Sequence, residues 1–166
     1  MNDKEMERGQ PAFLLAQIGA HAASQFAERL GVLELTPPDA GILRLLNQSA
    51  GISQQELSVR LQIHPSRLVA ILDKLEKRKL VERRANPEDR RLYSLQLTED
   101  GREILGQIGK VAREHQEALL GSISAEERGQ LTAMLHRIAD AQGLTRGVHP
   151  GYKKLDKGAA PELKRP

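Results

Sequence analysis

Apolar residues recur along most of the chain at intervals of three and four, the spacing that lines one face of a helix. Leu15, Ile18, Ala22, Phe26 and Leu30 form such a stripe and predict a first helix over 11–30, ended by Gly31. A second helix is expected after Thr36-Pro37-Pro38-Asp39. There Thr36 supplies a cap and Pro37 sits where a missing N–H costs nothing. Its apolar residues are Ile42, Leu43, Leu45 and Leu46, and residues 47–51 break the pattern. Ser53-Gln54-Gln55-Glu56 is a capping box, in which the hydroxyl accepts from the third residue's N–H and the carboxylate reaches back; it opens a short helix carrying Leu57 and Leu61. After a tight turn, Gln62-Ile63-His64, Pro65 takes a first helical position. Leu68, Ile71, Leu72 and Leu75 then fall at i, i+3, i+4 and i+7, so one face of this fourth helix is buried. The opposite face holds Ser66, Ala70, Asp73 and Lys77, with Arg67 and Lys74 on its flank.

The period then changes. Residues 80–84 read as a strand, 85–90 as a polar turn containing Asn86-Pro87, and 92–97 alternate with period two, as a half-buried strand does. The two strands predict a hairpin with a charged tip. Thr98 caps a further helix whose first residues, Glu99 and Asp100, suit the positive end of its dipole. That helix carries Ile104, Leu105, Ile108, Val111, Ala112 and Leu119. A second capping box, Ser124-Ala125-Glu126-Glu127, starts a last helix with Leu131, Met134, Leu135 and Ile138, ending near Gly143. Residues 143–166 hold four glycines, three prolines and many lysines. That composition predicts a basic flexible tail unless a partner orders it.

Composition narrows the function. The 166 residues contain no cysteine, which excludes a disulfide scaffold, a thiolate metal site, a cysteine nucleophile and a thiol redox switch. No run approaches the roughly 20 apolar residues of a membrane span. The polar start, MNDKEMERGQ, lacks a signal peptide's apolar stretch, so a cytoplasmic location is expected. The net charge of +3 conceals segregation: residues 60–91 carry ten Lys/Arg against five Asp/Glu, and residues 143–166 six against two. A chain that segregates charge in this way has a preferred face for a polyanion. The aromatic residues are Phe13, Phe26, Tyr93 and Tyr152 alone. Such scarcity disfavours single-stranded or RNA partners, which need stacking platforms, and favours duplex DNA.

The enzyme reading has little to stand on. The histidines are His21, His64, His115, His136 and His149; His136 and Asp140 share a helix face, but no second ligand set completes a metal site. No HExxH, glycine-rich phosphate loop or GxSxG occurs. Neither a cofactor nor a metal is expected.

Two short helices joined by a tight turn and followed by a charged hairpin make a winged helix-turn-helix, so the fold class is mainly α with a small β-hairpin wing. A major groove admits one helix, whose first turns reach base edges. A hairpin beside it can place an arginine in the narrower, more negative minor groove. The sequence resembles the MarR family in particular. The residues that carry the resemblance are Leu35-Thr36-Pro37-Pro38, Ile52-Ser53-Gln54-Gln55-Glu56-Leu57, His64-Pro65-Ser66-Arg67-Leu68-Val69 and Leu72-Asp73-Lys74-Leu75-Glu76-Lys77. Leu80-Val81, Asp89-x-Arg91 and Leu97-Thr98-x-x-Gly101 complete the series. The resemblance spans about residues 11–140. One departure is Lys79, where family members often have a glycine that supplies a left-handed helix cap.

The resemblance implies a DNA-binding domain over 35–98, a helical dimerisation region formed by 1–34 and 99–142, and the tail. It places His64, Pro65, Ser66, Arg67 and Ala70 at the major groove and Arg91 in the minor groove, with Asp89 as its orienting partner. Lys74, Arg84 and Arg90 are implied phosphate contacts. An ordinary surface ion pair remains the other reading of Asp89 and Arg91, a capping hydroxyl that of Ser66, and a plain turn residue that of His64. The apolar terminal helices imply a homodimer, which would present two recognition helices about one DNA turn apart to a pseudo-palindromic operator. The resemblance further implies a small aromatic or phenolic effector between dimer helices and winged domain, near Gln17, His21, Gln25 and Arg44; hydrogen bonding at the surface is their other reading. The expected function is thus a sequence-specific repressor. The competing readings are a nonspecific DNA-binding protein and a winged-helix module for protein contacts.

Overall fold

The computed structural model describes residues 10–85, 93–149 and 152. Six helices and one hairpin follow in the order α1 (Pro11–Gly31), α2 (Pro37–Gln48), α3 (Gln54–Leu61), α4 (Pro65–Lys77), β1 (Val81–Ala85), β2 (Tyr93–Leu97), α5 (Glu99–Leu120) and α6 (Ala125–Ala141). The winged helix-turn-helix expected from the sequence is present. Helix α2 outruns the expected break at 47 by two residues, and β1 starts one residue later than expected.

Local chemistry starts the helices. Thr36 and Asp39 form a full capping box on α2, as do Ser53 with Glu56 on α3 and Ser124 with Glu127 on α6. Each box pairs two backbone N–H groups that the helix itself leaves unpaired. The Thr98 hydroxyl accepts from Gly101 N at 3.0 Å and opens α5. Gly101 is needed at that place because a Cβ there would come 2.0 Å from the Leu80 carbonyl oxygen. The backbone of α5 thereby approaches the end of the recognition segment closely, which no larger residue would permit.

The core lies inside the winged domain. Ile42, Leu43 and Leu46 of α2, Leu57 of α3, Leu68, Leu72 and Leu75 of α4, and Val81 and Leu95 of the hairpin are buried together. The predicted stripe of α4 is therefore the buried face, with Ile71 half-covered at its margin. The hairpin is antiparallel, pairing Val81 with Leu97 and Ala85 with Tyr93. Leu95 and Leu97 point inward while Tyr93 is exposed. A short extra bridge joins the wing to the start of α3: Leu95 N donates to Ile52 O at 2.9 Å and Gly51 N to Leu95 O at 3.1 Å.

The long helices are covered unevenly. On α1, Leu30 is fully buried and Phe26 packs at the core's edge, yet Phe13 is 64% and Ile18 51% exposed. Helix α6 contributes no buried residue, and its Met134, Leu135 and Ile138 stand open. No helix among the described residues is long and apolar enough to cross a membrane.

Candidate nucleic-acid interface

The turn between α3 and α4 is tightly specified. Gln62 adopts the left-handed conformation, φ 53°, at the end of α3. Ile63 is buried, and the Ser58 hydroxyl, itself buried, donates to the Ile63 carbonyl at 2.7 Å. These contacts set the angle at which α4 leaves. At its start, Pro65 takes the first position and the cap is His64, whose Nδ1 accepts from Ser66 N at 3.4 Å and lies 2.8 Å from Ser66 Oγ. The Ser66 hydroxyl thus engages the capping ring rather than serving as the cap. Pro65, Ser66, Ala70, Asp73, Lys74 and Lys77 are exposed on the outer face, and Arg67 is half-buried.

Two cations near this face are held by carboxylates. Lys74 Nζ lies 2.7 Å from Asp39 Oδ2, the carboxylate being 3% and the lysine 45% exposed. Asp39 also accepts from the backbone N–H and hydroxyl of Thr36, each at 2.8 Å. The carboxylate that caps α2 therefore also grips the recognition helix. Arg83, on β1, reaches back to α4 and pairs with Asp73 at 2.7 Å and with Glu76. Arg84 is exposed and pairs with its neighbour Glu82 at 2.6 Å. Arg83 escaped the sequence reading, since residue type alone does not say which of two adjacent arginines turns back to the helix. The strand period was the available signal: Arg83 shares its side of β1 with the buried Val81. Asp89, Arg90 and Arg91 lie outside the described residues.

The end of α4 explains the departure at Lys79. Lys79 takes φ 57° and ends the helix as a glycine would: Leu80 N donates to Leu75 O at 3.0 Å and Lys79 N to Glu76 O at 2.8 Å. This is the hydrogen-bond pattern of a left-handed cap made without glycine. The Thr98 hydroxyl donates to the Lys79 carbonyl, and Arg78 donates to the carbonyls of Glu34 at 2.8 Å and Leu33 at 3.1 Å. Two segments, the turn at 33–34 and the start of α5 at Thr98, therefore converge on the end of the recognition helix.

The candidate effector residues fall into two places. Gln17, His21 and Gln25 follow one stripe of α1, the first two exposed and the third half-buried. Arg44 stands on α2 and donates to Gly147 O at 2.6 Å. Near His21 the structure adds residues that spacing alone did not single out. His115 of α5 stacks obliquely on Phe26, ring centroids 5.4 Å apart. Burial, with the charges of Arg29 and His21, holds His115 below the usual histidine range. The Arg29 Nε is buried with no hydrogen-bond partner among the described residues. No cluster of three or more His, Asp or Glu residues that could hold a metal occurs among the described residues.

The sequence model of the MarR family matches residues 33–92. A protein of Thauera aromatica that bears the name of a transcriptional regulatory protein for the hcr operon is 30% identical over 131 residues, covering 78% of this chain and 79% of that one. The transcriptional repressor Rv2887 of Mycobacterium tuberculosis is 29% identical over 126 residues, 76% of this chain and 91% of its own. Its structure in complex with p-aminosalicylic acid is similar at a TM-score of 0.64, with 27% identity over 79% of this chain and 99% of that one. The transcriptional repressor CouR, bound to a 23-mer DNA duplex, is similar at a TM-score of 0.71, with 31% identity over 84% of this chain and 98% of that one. Sequence and architecture agree with the capped turn, recognition helix and wing described above, and the chain belongs to the MarR family of winged helix-turn-helix transcriptional regulators.

Proposed function

We propose that the protein is a sequence-specific repressor that binds a pseudo-palindromic operator as a homodimer and is released by a small aromatic or phenolic anion. The observation that carries the DNA half of this reading is the outer face of α4. Its first turn is exposed, capped by His64 and free of large apolar side chains, and the wing is anchored beside it through Arg83. A helix so presented enters a major groove by its N-terminal residues, with His64, Pro65, Ser66, Arg67 and Ala70 toward base edges. Arg84 and Arg90 serve the phosphates and Arg91 the minor groove, with Asp89 orienting it. Lys74 can join them only by leaving Asp39.

The homodimer rests on the uncovered apolar residues of α1 and α6. Phe13, Leu14, Leu15 and Ile18 on one, and Met134, Leu135 and Ile138 on the other, form faces of the kind that a second copy buries. The effector rests on Arg29, whose Nε is buried with no hydrogen-bond partner among the described residues, beside the stacked Phe26 and His115 rings, with Gln17, His21, Gln25 and Arg44 as further polar groups. Rv2887 in complex with p-aminosalicylic acid is a relative with a ligand of this chemical kind.

Selection of bound duplexes from random DNA tests the reading. A repressor enriches a two-fold related pair of half-sites and binds them at least about a thousandfold more tightly than random duplex at fixed salt. A flat ratio supports nonspecific packing instead. Arg91→Ala is expected to cost at least about 1 kcal/mol of operator binding, the scale of one good contact. Sedimentation at the mass of one chain at micromolar concentration would defeat the dimer.

A further inference from the structure

The basic C-terminal segment begins with a structured path back to the winged domain. After α6 the chain turns at Gly143, and Arg146 forks onto Asp140, Nη2 to Oδ2 at 2.6 Å and Nε to Oδ1 at 3.2 Å. Thr145 Oγ1 accepts from Gln62 Nε2 at 3.2 Å, beside the helix-turn-helix turn. Gly147, at φ 73°, presents its carbonyl to Arg44. Val148 packs at the edge of the core. Tyr152 is 5% exposed, and its hydroxyl donates to Pro38 O at 2.9 Å. Burial pushes that phenol above its ordinary value.

The partner surface is built to receive the ring. Gly41 lies inside α2, where glycine weakens a helix relative to alanine. A Cβ at Gly41 would stand 2.0 Å from Tyr152 Oη and 3.1 Å from Cζ. The missing side chain is the slot that the phenol fills. The slot also adjoins Asp39, whose carboxylate holds Lys74 of the recognition helix. Helix α6 contributes no fully buried residue, and this segment links its end to the winged domain through Gln62 and Arg44.

We propose that residues 145–149 together with Tyr152 act as a strap that fixes the winged helix-turn-helix to the end of α6, with the Tyr152 phenol as its pin over Gly41. A docked strap holds the two recognition helices of the dimer at operator spacing. The proposal rests on the homodimeric operator reading given above. Two sites joined rigidly bind together better than two joined loosely, because the second binding event then starts from the right separation. Loosening the strap therefore weakens binding to a paired site and leaves a single half-site alone.

The test uses the full chain with Tyr152→Ala, Tyr152→Phe and Gly41→Ala. Binding is measured to the selected duplex and to one carrying a single half-site, and hydrogen exchange is followed at the Val148 and Tyr152 amides. Those amides donate to Thr145 O and His149 O at 3.2 Å in the docked strap. Tyr152→Ala and Gly41→Ala are expected to bind the paired site about tenfold more weakly and the half-site within about twofold of the native chain. Both should also lose protection at the two amides. Tyr152→Phe, which keeps the ring, should lie between. Half-site binding within about twofold of the native chain shows that a variant has folded, so a folding defect in either Tyr152→Ala or Gly41→Ala does not decide the outcome. Unchanged paired-site affinity in Tyr152→Ala, or native amides that exchange as fast as that variant's, overturns the strap while leaving the operator reading intact. A native chain that selects no duplex at all overturns the operator reading itself, and the spacing role with it.

Discussion

The ammonium of Lys74 sits 2.7 Å from the carboxylate of Asp39, joining the recognition helix to the capped start of α2. Asp39 is nearly inaccessible and accepts from Thr36 as well, so Lys74 neutralises a charge that water does not reach. A residue expected from the sequence at phosphate is thus engaged elsewhere in the free protein.

Lys74→Met is accordingly expected to lower stability. Breaking a fully buried pair costs about 3–5 kcal/mol. Here the lysine is half-exposed and Thr36 still serves the carboxylate, so a loss of about 1 kcal/mol is expected. Urea denaturation checks it. A variant as stable as the native chain would mean that Thr36 alone satisfies Asp39.

Arg83→Ala is expected to act on DNA more than on folding. Without the guanidinium, Asp73 and Glu76 present two uncompensated carboxylates on the flank of α4, facing a polyanion. Operator affinity should fall about tenfold, with about 0.5 kcal/mol of stability lost. Arg83→Lys should recover only part of the affinity, because a single ammonium nitrogen does not span the two carboxylates as the separate nitrogens of the planar guanidinium do. Gel shifts at fixed salt, beside melting curves, separate the two effects.

Lys79→Gly is expected to stabilise the protein. A side chain in the left-handed region crowds its own backbone at a cost of about 1 kcal/mol, which glycine avoids. Glycine also gains freedom in the unfolded chain, so the net gain should be about 0.5 kcal/mol. Thermal unfolding reads the change, and a lower midpoint would mean that the lysine stem packs favourably.

His115 gives a pH dependence of definite sign. Burial, together with Arg29 and His21, holds its pKa below the ordinary 6.5. The unfolded chain therefore takes up a proton at higher pH than the folded one. This contribution to stability is complete above about 6.5 and is lost as pH falls through the folded value. The melting temperature should drop between pH 7.5 and 5.5, and His115→Leu, which cannot titrate, should show a shallower drop. Equal slopes would remove His115 as the source.

The chemistry of helix starts was legible in the chain because it is local. Ser53 with Glu56, Ser124 with Glu127, and Thr98 each act across three residues, and their geometry follows from the helix itself. The buried side of α4 was legible for the same reason: Leu68, Leu72 and Leu75 repeat at the helical period. Periodicity also marked the stripe on α1, though not its two environments, for the period says that a face is apolar and not what covers it. Leu30 meets the winged core, whereas Leu15 and Ile18 stay 41% and 51% exposed.

The sequence by itself determined where the helices begin, which face of the recognition helix turns inward, and the order of turn, helix and wing. Tertiary structure alone decided the rest. Lys74 finds Asp39 across 35 residues, and the Tyr152 hydroxyl finds Pro38 across 114. The fork of Arg83, the left-handed turn at Lys79 and the slot at Gly41 are likewise set by how packed elements face one another. Local rules act through a fixed backbone geometry of three or four residues. Long-range pairs depend on the angles at which whole helices pack, which no short stretch of sequence carries.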